Sequence, residues 1–333
     1  MAGVTDSIFR QLCKEQGADV LTTEFVSAEG LLHRNDRTRQ MVDFDAAVER
    51  PIGVQLFGAE PERLADAARA VIEWVQPDFI DLNFGCPVNK VVSKNGGSAL
   101  LRDCPLLESI ARAVVRAGEP LGVPVTAKIR IGWDDQTINA PRVAKLLEEC
   151  GIARVAVHGR TKAQGYTGLA DWDVIAEVAE AVSIPVIGNG DITGPPDVAL
   201  RRATTRISGV MVGRAAMTTP WIFREIKHYL TSGELPPALP LTDVWAFIAR
   251  HARLAVDLRT SRAEAAGRTS ERGTMHSLRA RLMAYSRGLP GGRNLRGKFA
   301  AVDSLAQLDD IAAEHLAWTA QTAGEPAALS AVT

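Results

Sequence analysis

The sequence predicts an α/β protein: a (β/α)8 TIM barrel, with the first strand missing from this chain, followed by a small all-helical C-terminal domain. Three observations predict it. Seven apolar, β-rich runs alternate with amphipathic stretches between residues 19 and 214; an amphipathic stretch already precedes the first run; and beyond residue 242 the chain is rich in Ala, Leu and Arg, with no strand candidate.

Taken in order, residues 6–16 read as a helix with Ile8, Phe9, Leu12 and Cys13 on one side. In such a barrel every ring helix follows a strand, so the missing strand is expected upstream of Met1, in a natural start roughly ten to twenty residues earlier or a truncated gene start. The strand candidates are 19–25, 52–57, 79–83, 123–131, 154–158, 184–189 and 209–213. Helices between them open at Pro61 after Glu60, Pro105 after Asp103, Asp171, and Pro195-Pro196. A doubly wound open sheet is the competing fold, but it calls for an early glycine-rich dinucleotide turn that this chain lacks. Residues 231–241, with three prolines and a glycine, read as a linker. The expected division is a catalytic barrel over 1–230, that linker, a helical domain over 242–322 and a tail over 323–333.

A chain of 333 residues that is 46% hydrophobic can build a large core, and its apolar runs are shorter than a membrane span. With no N-terminal targeting pattern, a cytoplasmic protein without membrane contact is expected. Cys13, Cys86, Cys104 and Cys150 are too widely spaced for a zinc site or a disulfide framework, so no metal is expected. Net charge of −1 conceals an uneven distribution: residues 241–300 hold twelve Lys/Arg against four acids, or +8, whereas 301–333 hold five acids and no base. The basic block suggests a polyanion partner, against the plainer reading of a solvated arginine-rich helix pair. No obligate protein partner is indicated.

Barrel active sites lie at the C-terminal ends of the strands, and polar residues collect there. Asp81-Leu-Asn-Phe-Gly-Cys-Pro87 ends one strand in a turn that carries a lone thiol, Cys86; the plainer reading is a small packed hydrophobe. Gln55 sits within an apolar run, Asn83 precedes the thiol, and Lys128 and Arg130 end the next strand. His158-Gly-Arg-Thr161, Asn189-Gly-Asp191 and Gly213-Arg214 end the last three. Each alone could be structural: a paired lysine, a core histidine, a glycine turn. Together, the glycine turn Asn189-Gly190-Asp191 and Gly213-Arg214 form the phosphate-binding corner of this fold. With Lys128 near a ring that becomes anionic on reduction, and His158 and Gln55 at its edge, the set suits flavin mononucleotide (FMN).

Met1-Ala-Gly-Val-Thr-Asp6, Asp81–Pro87, Gly96-Gly-Ser-Ala-Leu-Leu101, Lys128-Ile-Arg130, Val157-His-Gly-Arg-Thr161, Gly188-Asn-Gly-Asp191 and Val212-Gly-Arg214 resemble segments of the tRNA-dihydrouridine synthases, the bacterial B-type branch above all, over residues 1 to about 300. The resemblance implies an FMN-dependent oxidoreductase that reduces the C5–C6 double bond of tRNA uridines, with NADPH as electron donor. Cys86 matches the cysteine that gives the proton to C5, and an ordinary thiol is mostly protonated at neutral pH. Cofactor contacts are implied for Met1, Ala2, Gln55, Lys128, His158, Asn189, Gly190, Asp191, Gly213 and Arg214. Asn83, Lys90 on a flap over 88–98, Arg160 and Arg279 are implied at the RNA, whose base must leave its stack. Two departures stand out: the family's Leu-Ala-Pro before Met-Ala-Gly is absent, and its aromatic and histidine positions after Arg279 are Arg281 and Ala284. The competing functions are an FMN-dependent reductase of a free pyrimidine or small enone, and a catalytically impaired RNA-binding relative.

Overall fold

Parallel strands form along the β-branched runs, and their residues are buried on both faces because helices cover one side and strand side chains fill the other. The computed structural model describes residues 3–33, 36–264 and 271–322. Its strands are β1 (Leu21–Thr22), β2 (Val26–Ser27), β3 (Ile52–Phe57), β4 (Phe79–Phe84), β5 (Val125–Arg130), β6 (Arg154–His158), β7 (Val186–Asn189) and β8 (Gly209–Met211). They form one parallel sheet in the order β1-β3-β4-β5-β6-β7-β8, with β2 also on β3, and among the described residues no pairing joins β8 to β1. This is the curled sheet of a (β/α)8-type barrel with seven strand positions filled.

The run over 19–25 is therefore not one strand, a correction to the sequence reading. Leu21 and Thr22 pair with Ile52 and Gly53, but Val26 pairs with Leu56, so four residues on one side span three on the other, as in a bulge. The Thr23 side chain fills the gap by accepting from the Gln55 N–H at 3.2 Å, and Glu24 turns to accept from the Val4 and Thr5 N–H groups at 2.8 and 3.0 Å. Short helices absent from the sequence reading occur at Ala28–Leu32, Asp36–Gln40 and Asn89–Val92, and a 3₁₀ turn at Gly97–Arg102. Helices of four to six residues are too short for a periodic signal.

The ring helices begin where caps place them. Asp6 accepts from the Phe9 N–H ahead of Ser7–Glu15, Asp103 from Leu106 ahead of Cys104–Gly118, and Asp171 from Asp173 and Val174 ahead of Trp172–Ala181. Val54, Leu56, Ile80, Leu82, Ala127, Ile129, Val155 and Val157 are buried in the sheet, so its polar C-terminal residues rest on an apolar base.

The chain divides into two compact units: Met1–Ala216 with Pro220–Leu235, and Met217–Thr219 with Pro236–Thr333. In the second, helices Leu241–Glu264, Glu271–Tyr285, Gly292–Ala301 and Leu305–Thr322 bury Trp245, Met275, Leu282, Tyr285 and Phe299. Trp245 donates to His315 Nδ1 at 3.0 Å, so the other ring nitrogen carries the proton and donates to the Pro290 carbonyl at 2.8 Å. The basic block is partly neutralised from within. Asp303, Asp309 and Glu314 of the acidic stretch pair with Arg272, Arg279, Arg253 and Lys298. Residues 323–333, expected as a tail, lie outside the described residues.

Candidate active site

Cys86 stands just past β4, where Asn83 folds the chain. The Asn83 Oδ1 accepts from the N–H groups of Gly85 at 3.1 Å and Cys86 at 2.9 Å, a local side-chain turn that competes with strand continuation. Gly97, at φ +58°, lets the following segment close over the thiol residue: a Cβ there would lie 2.7 Å from the Cys86 carbonyl oxygen. Ser98 donates to that carbonyl from both its hydroxyl and its N–H. Asn83 Nδ2 donates to Gln55 Oε1 at 2.8 Å, and Gln55 Nε2 donates to Asp81 Oδ2 at 2.6 Å. Burial pushes the Cys86 thiol up from its ordinary value, against the smaller opposing effects of the Val88 backbone and the Arg130 charge. The thiol therefore holds its proton at neutral pH.

Lys128 sits on β5 in register with Asn83 of β4. Its one hydrogen bond among the described residues is long, 3.5 Å to the Ile129 carbonyl. Burial, followed by the Arg130 charge, brings its ammonium down to about 7, with Asp81 opposing. His158, at the end of β6, pairs in register with Arg130 on one side and Asn189 on the other. Burial and the charges of Lys128, Arg130, Arg160 and Arg214 push its imidazole down to about 2, so it is neutral and can accept or donate one hydrogen bond. Positive charge is thus concentrated around this neutral ring, with Asp191 against it.

Arg160 is 2% exposed. Its guanidinium meets both carboxylate oxygens of Asp191 at 2.9 Å and donates to the carbonyls of Thr167 and Gly168. Four of its five N–H groups are thus engaged within the protein. Asp191 also accepts from the Ala170 N–H at 2.7 Å and from Arg214 at 3.1 Å. Burial alone would raise its carboxyl, yet the Arg160 and Ala170 hydrogen bonds and the two arginine charges hold it below the usual carboxylate range. Gly190, at φ +125°, has no room for a side chain, since a Cβ would lie 2.6 Å from that of Ala170. Asn189 donates to the Met211 carbonyl and ties the ends of β7 and β8 together. A Cβ at Gly213 would meet nothing within 4 Å.

The sequence reading missed Tyr166 and Asp81. Tyr166 is 59% exposed, its ring 6.5 Å from that of His158 and within 5.7 and 5.6 Å of the Arg130 and Arg214 guanidinium carbons. The turn after His158 was its only signal. Lys90 is exposed on the helix Asn89–Val92, within the segment expected as a flap. Arg279 binds the Val302 carbonyl at 3.1 Å and Asp303 at 2.5 Å inside the second unit. Met1 and Ala2 lie outside the described residues. No group of three or more metal-ligating side chains occurs among the described residues, and no helix there is long and apolar enough to cross a membrane.

A family profile described as "Dihydrouridine synthase (Dus)" matches residues 1–321. The chain belongs to the dihydrouridine synthase family. It is similar to proteins named tRNA-dihydrouridine synthase B: 43% identical to that of Pseudomonas aeruginosa over 90% of this chain and 86% of the relative, and 42% to that of Pseudomonas putida over 94% and 89%. It is 44% identical to that of Escherichia coli K12 over 76% of this chain and 77% of the relative.

Proposed function

We propose that this chain is an FMN-dependent tRNA-dihydrouridine synthase which reduces the C5–C6 double bond of uridine in tRNA, in the cytoplasm, with NADPH as electron donor. The observation that carries the reading is the placement of Cys86 on the turn after β4, its N–H held by Asn83 Oδ1 and Asn83 in turn bound to Gln55 of β3, with burial pushing the thiol up from its ordinary value. Family membership and the names of the relatives supply the substrate.

The residues present fit FMN. Lys128 is a half-buried amine with only a long bond to a carbonyl, and an anionic ring beside it would complete its coordination. Arg214 and the backbone of the Asn189-Gly190-Asp191 and Gly213 turns suit the phosphate, and neutral His158 and Gln55 suit the ring edge. When bound, FMN supplies the hydride that reaches C6. Cys86 supplies the proton to C5, and its raised pKa keeps that proton in place until it is needed. Asn83 orients the base through its remaining amide N–H. Arg160 holds Asp191 and, with it, the turn that faces the phosphate.

RNA binding falls to the second unit, where Arg287, Arg293 and Arg296 are exposed around the Gly288–Gly292 turn and form no ion pair among the described residues. Lys90 adds charge on the first unit. The test uses purified full-length protein loaded with FMN and given NADPH and unmodified tRNA, with dihydrouridine quantified by nucleoside mass spectrometry. Dihydrouridine formed in proportion to NADPH consumed is expected. Turnover of free uridine monophosphate or a small enone with tRNA left unchanged would overturn the reading.

A further inference from the structure

Asp81 opens the motif that carries the thiol, is 5% exposed, and has no role in the function proposed above. Its two oxygens are both occupied: Thr126 Oγ1 donates to Oδ1 at 2.5 Å, and Gln55 Nε2 donates to Oδ2 at 2.6 Å. From there a single file of hydrogen bonds runs across the sheet to the thiol turn. Gln55 Oε1 accepts from Asn83 Nδ2, and Asn83 Oδ1 accepts from the Gly85 and Cys86 N–H groups.

The polarity of this file is fixed at both ends. Two backbone N–H groups can meet only an oxygen of Asn83, and Asp81 Oδ2 can only accept from Gln55, even with a proton on Oδ1 facing Thr126. Between these ends neither amide can be turned over without setting oxygen against oxygen or N–H against N–H. Each side-chain NH2 group thus spends one hydrogen in the file and keeps one. The strand register makes the file possible, since Gln55 pairs with Asp81, Asp81 with Thr126, and the side chains of paired residues on one sheet face are neighbours.

We propose that Asp81 is a positioning residue: by holding Gln55 it fixes where that amide meets Asn83 and, through Asn83, the turn that presents Cys86. Its kinetic consequence rests on the function proposed above, whereas the file itself can be tested without tRNA. Three readouts suffice: the alkylation rate of Cys86 by iodoacetamide in the flavin-free protein, FMN affinity by fluorescence quenching, and turnover on tRNA.

In Asp81→Leu, Cys86 alkylation is expected to rise about fivefold, FMN to bind about tenfold more weakly and kcat to fall about 30- to 100-fold, the scale of a small misplacement of reacting groups. Asp81→Asn is expected within about threefold of the parent in all three, because its amide oxygen still accepts from Gln55 and its NH2 can donate to Thr126. In a Gln55→Leu background, itself showing faster alkylation, Asp81→Leu is expected to add less than about twofold. Unchanged alkylation and FMN affinity in Asp81→Leu, equal damage from Asp81→Asn, or an undiminished Asp81 effect without Gln55 would each overturn the proposal. Should Asp81→Leu not fold, Asp81→Asn and Gln55→Leu decide: loss in the first or parental alkylation in the second overturns it. Alkylation and FMN affinity that shift as expected, with no tRNA turnover in any variant or in the parent, would sustain the file and count against the proposed function alone.

Discussion

Buried Arg160 and half-buried Asp191 form a bidentate ion pair that closes the turn after β6 onto the turn after β7, with both N···O distances at 2.9 Å. The same guanidinium reaches the Thr167 and Gly168 carbonyls, so one side chain supports the loop that displays Tyr166 and the turn assigned to phosphate. A planar fork is needed for this, and lysine cannot reproduce it.

Arg160→Lys is accordingly expected to destabilise the protein by about 1–3 kcal/mol, as buried groups left without their hydrogen bonds do, and to weaken FMN binding. Chemical denaturation and a fluorescence titration measure the two effects. If Arg160 instead contacted RNA, the variant would keep its stability and lose only tRNA affinity.

Cys86→Ala is expected to lower dihydrouridine formation about 10²- to 10⁴-fold while FMN affinity stays near that of the parent. Because burial raises the thiol pKa, the Cys86 limb of the rate profile should fall only in alkaline solution, above the ordinary thiol value. His158, at about 2, should add no transition between pH 5 and 9. A rate that rises as Cys86 deprotonates would contradict its role as acid.

Lys128 trades stability for binding. Below about pH 7 it carries its charge in folded and unfolded chains alike; between 7 and its ordinary 10.5 only the unfolded chain keeps the proton, so its contribution makes the flavin-free protein more stable as pH rises through that window. FMN affinity should move the opposite way, falling above pH 7 as the ammonium is lost. Lys128→Met is expected to remove both trends, raise the Tm of the flavin-free protein by roughly 2–4 °C, and abolish activity. Thermal scans with and without FMN across pH 6–10 check each part.

In the helical unit, the triple change Arg287→Gln, Arg293→Gln and Arg296→Gln is expected to lower tRNA affinity and reduce the slope of log K against log[salt] by about 2–3, close to one for each phosphate that is no longer neutralised. Arg279→Gln should leave that slope nearly unchanged and lower the melting temperature instead, since Arg279 joins the Val302 carbonyl to Asp303. Filter binding over a salt series separates the two variants.

The alternation of apolar runs with capped helices determined the barrel class, because strand and helix periods and caps such as Asp6, Asp103 and Asp171 act within a few residues. The Asn83–Pro87 turn was legible for the same reason: its side-chain hydrogen bonds are local. Ion-pair partners are not. Arg160 meets Asp191 31 residues away and Arg253 meets Asp309 56 residues away, so a guanidinium that looks free in the sequence is consumed once the chain folds. The bulge over 22–26 and the Thr126–Asp81–Gln55–Asn83 file likewise arise from register between strands. The sequence by itself determined which residues stand at the ends of the strands; the tertiary structure alone decided which of them spend their charge inward and which keep a proton or a donor, because burial and pairing across the sheet set those properties.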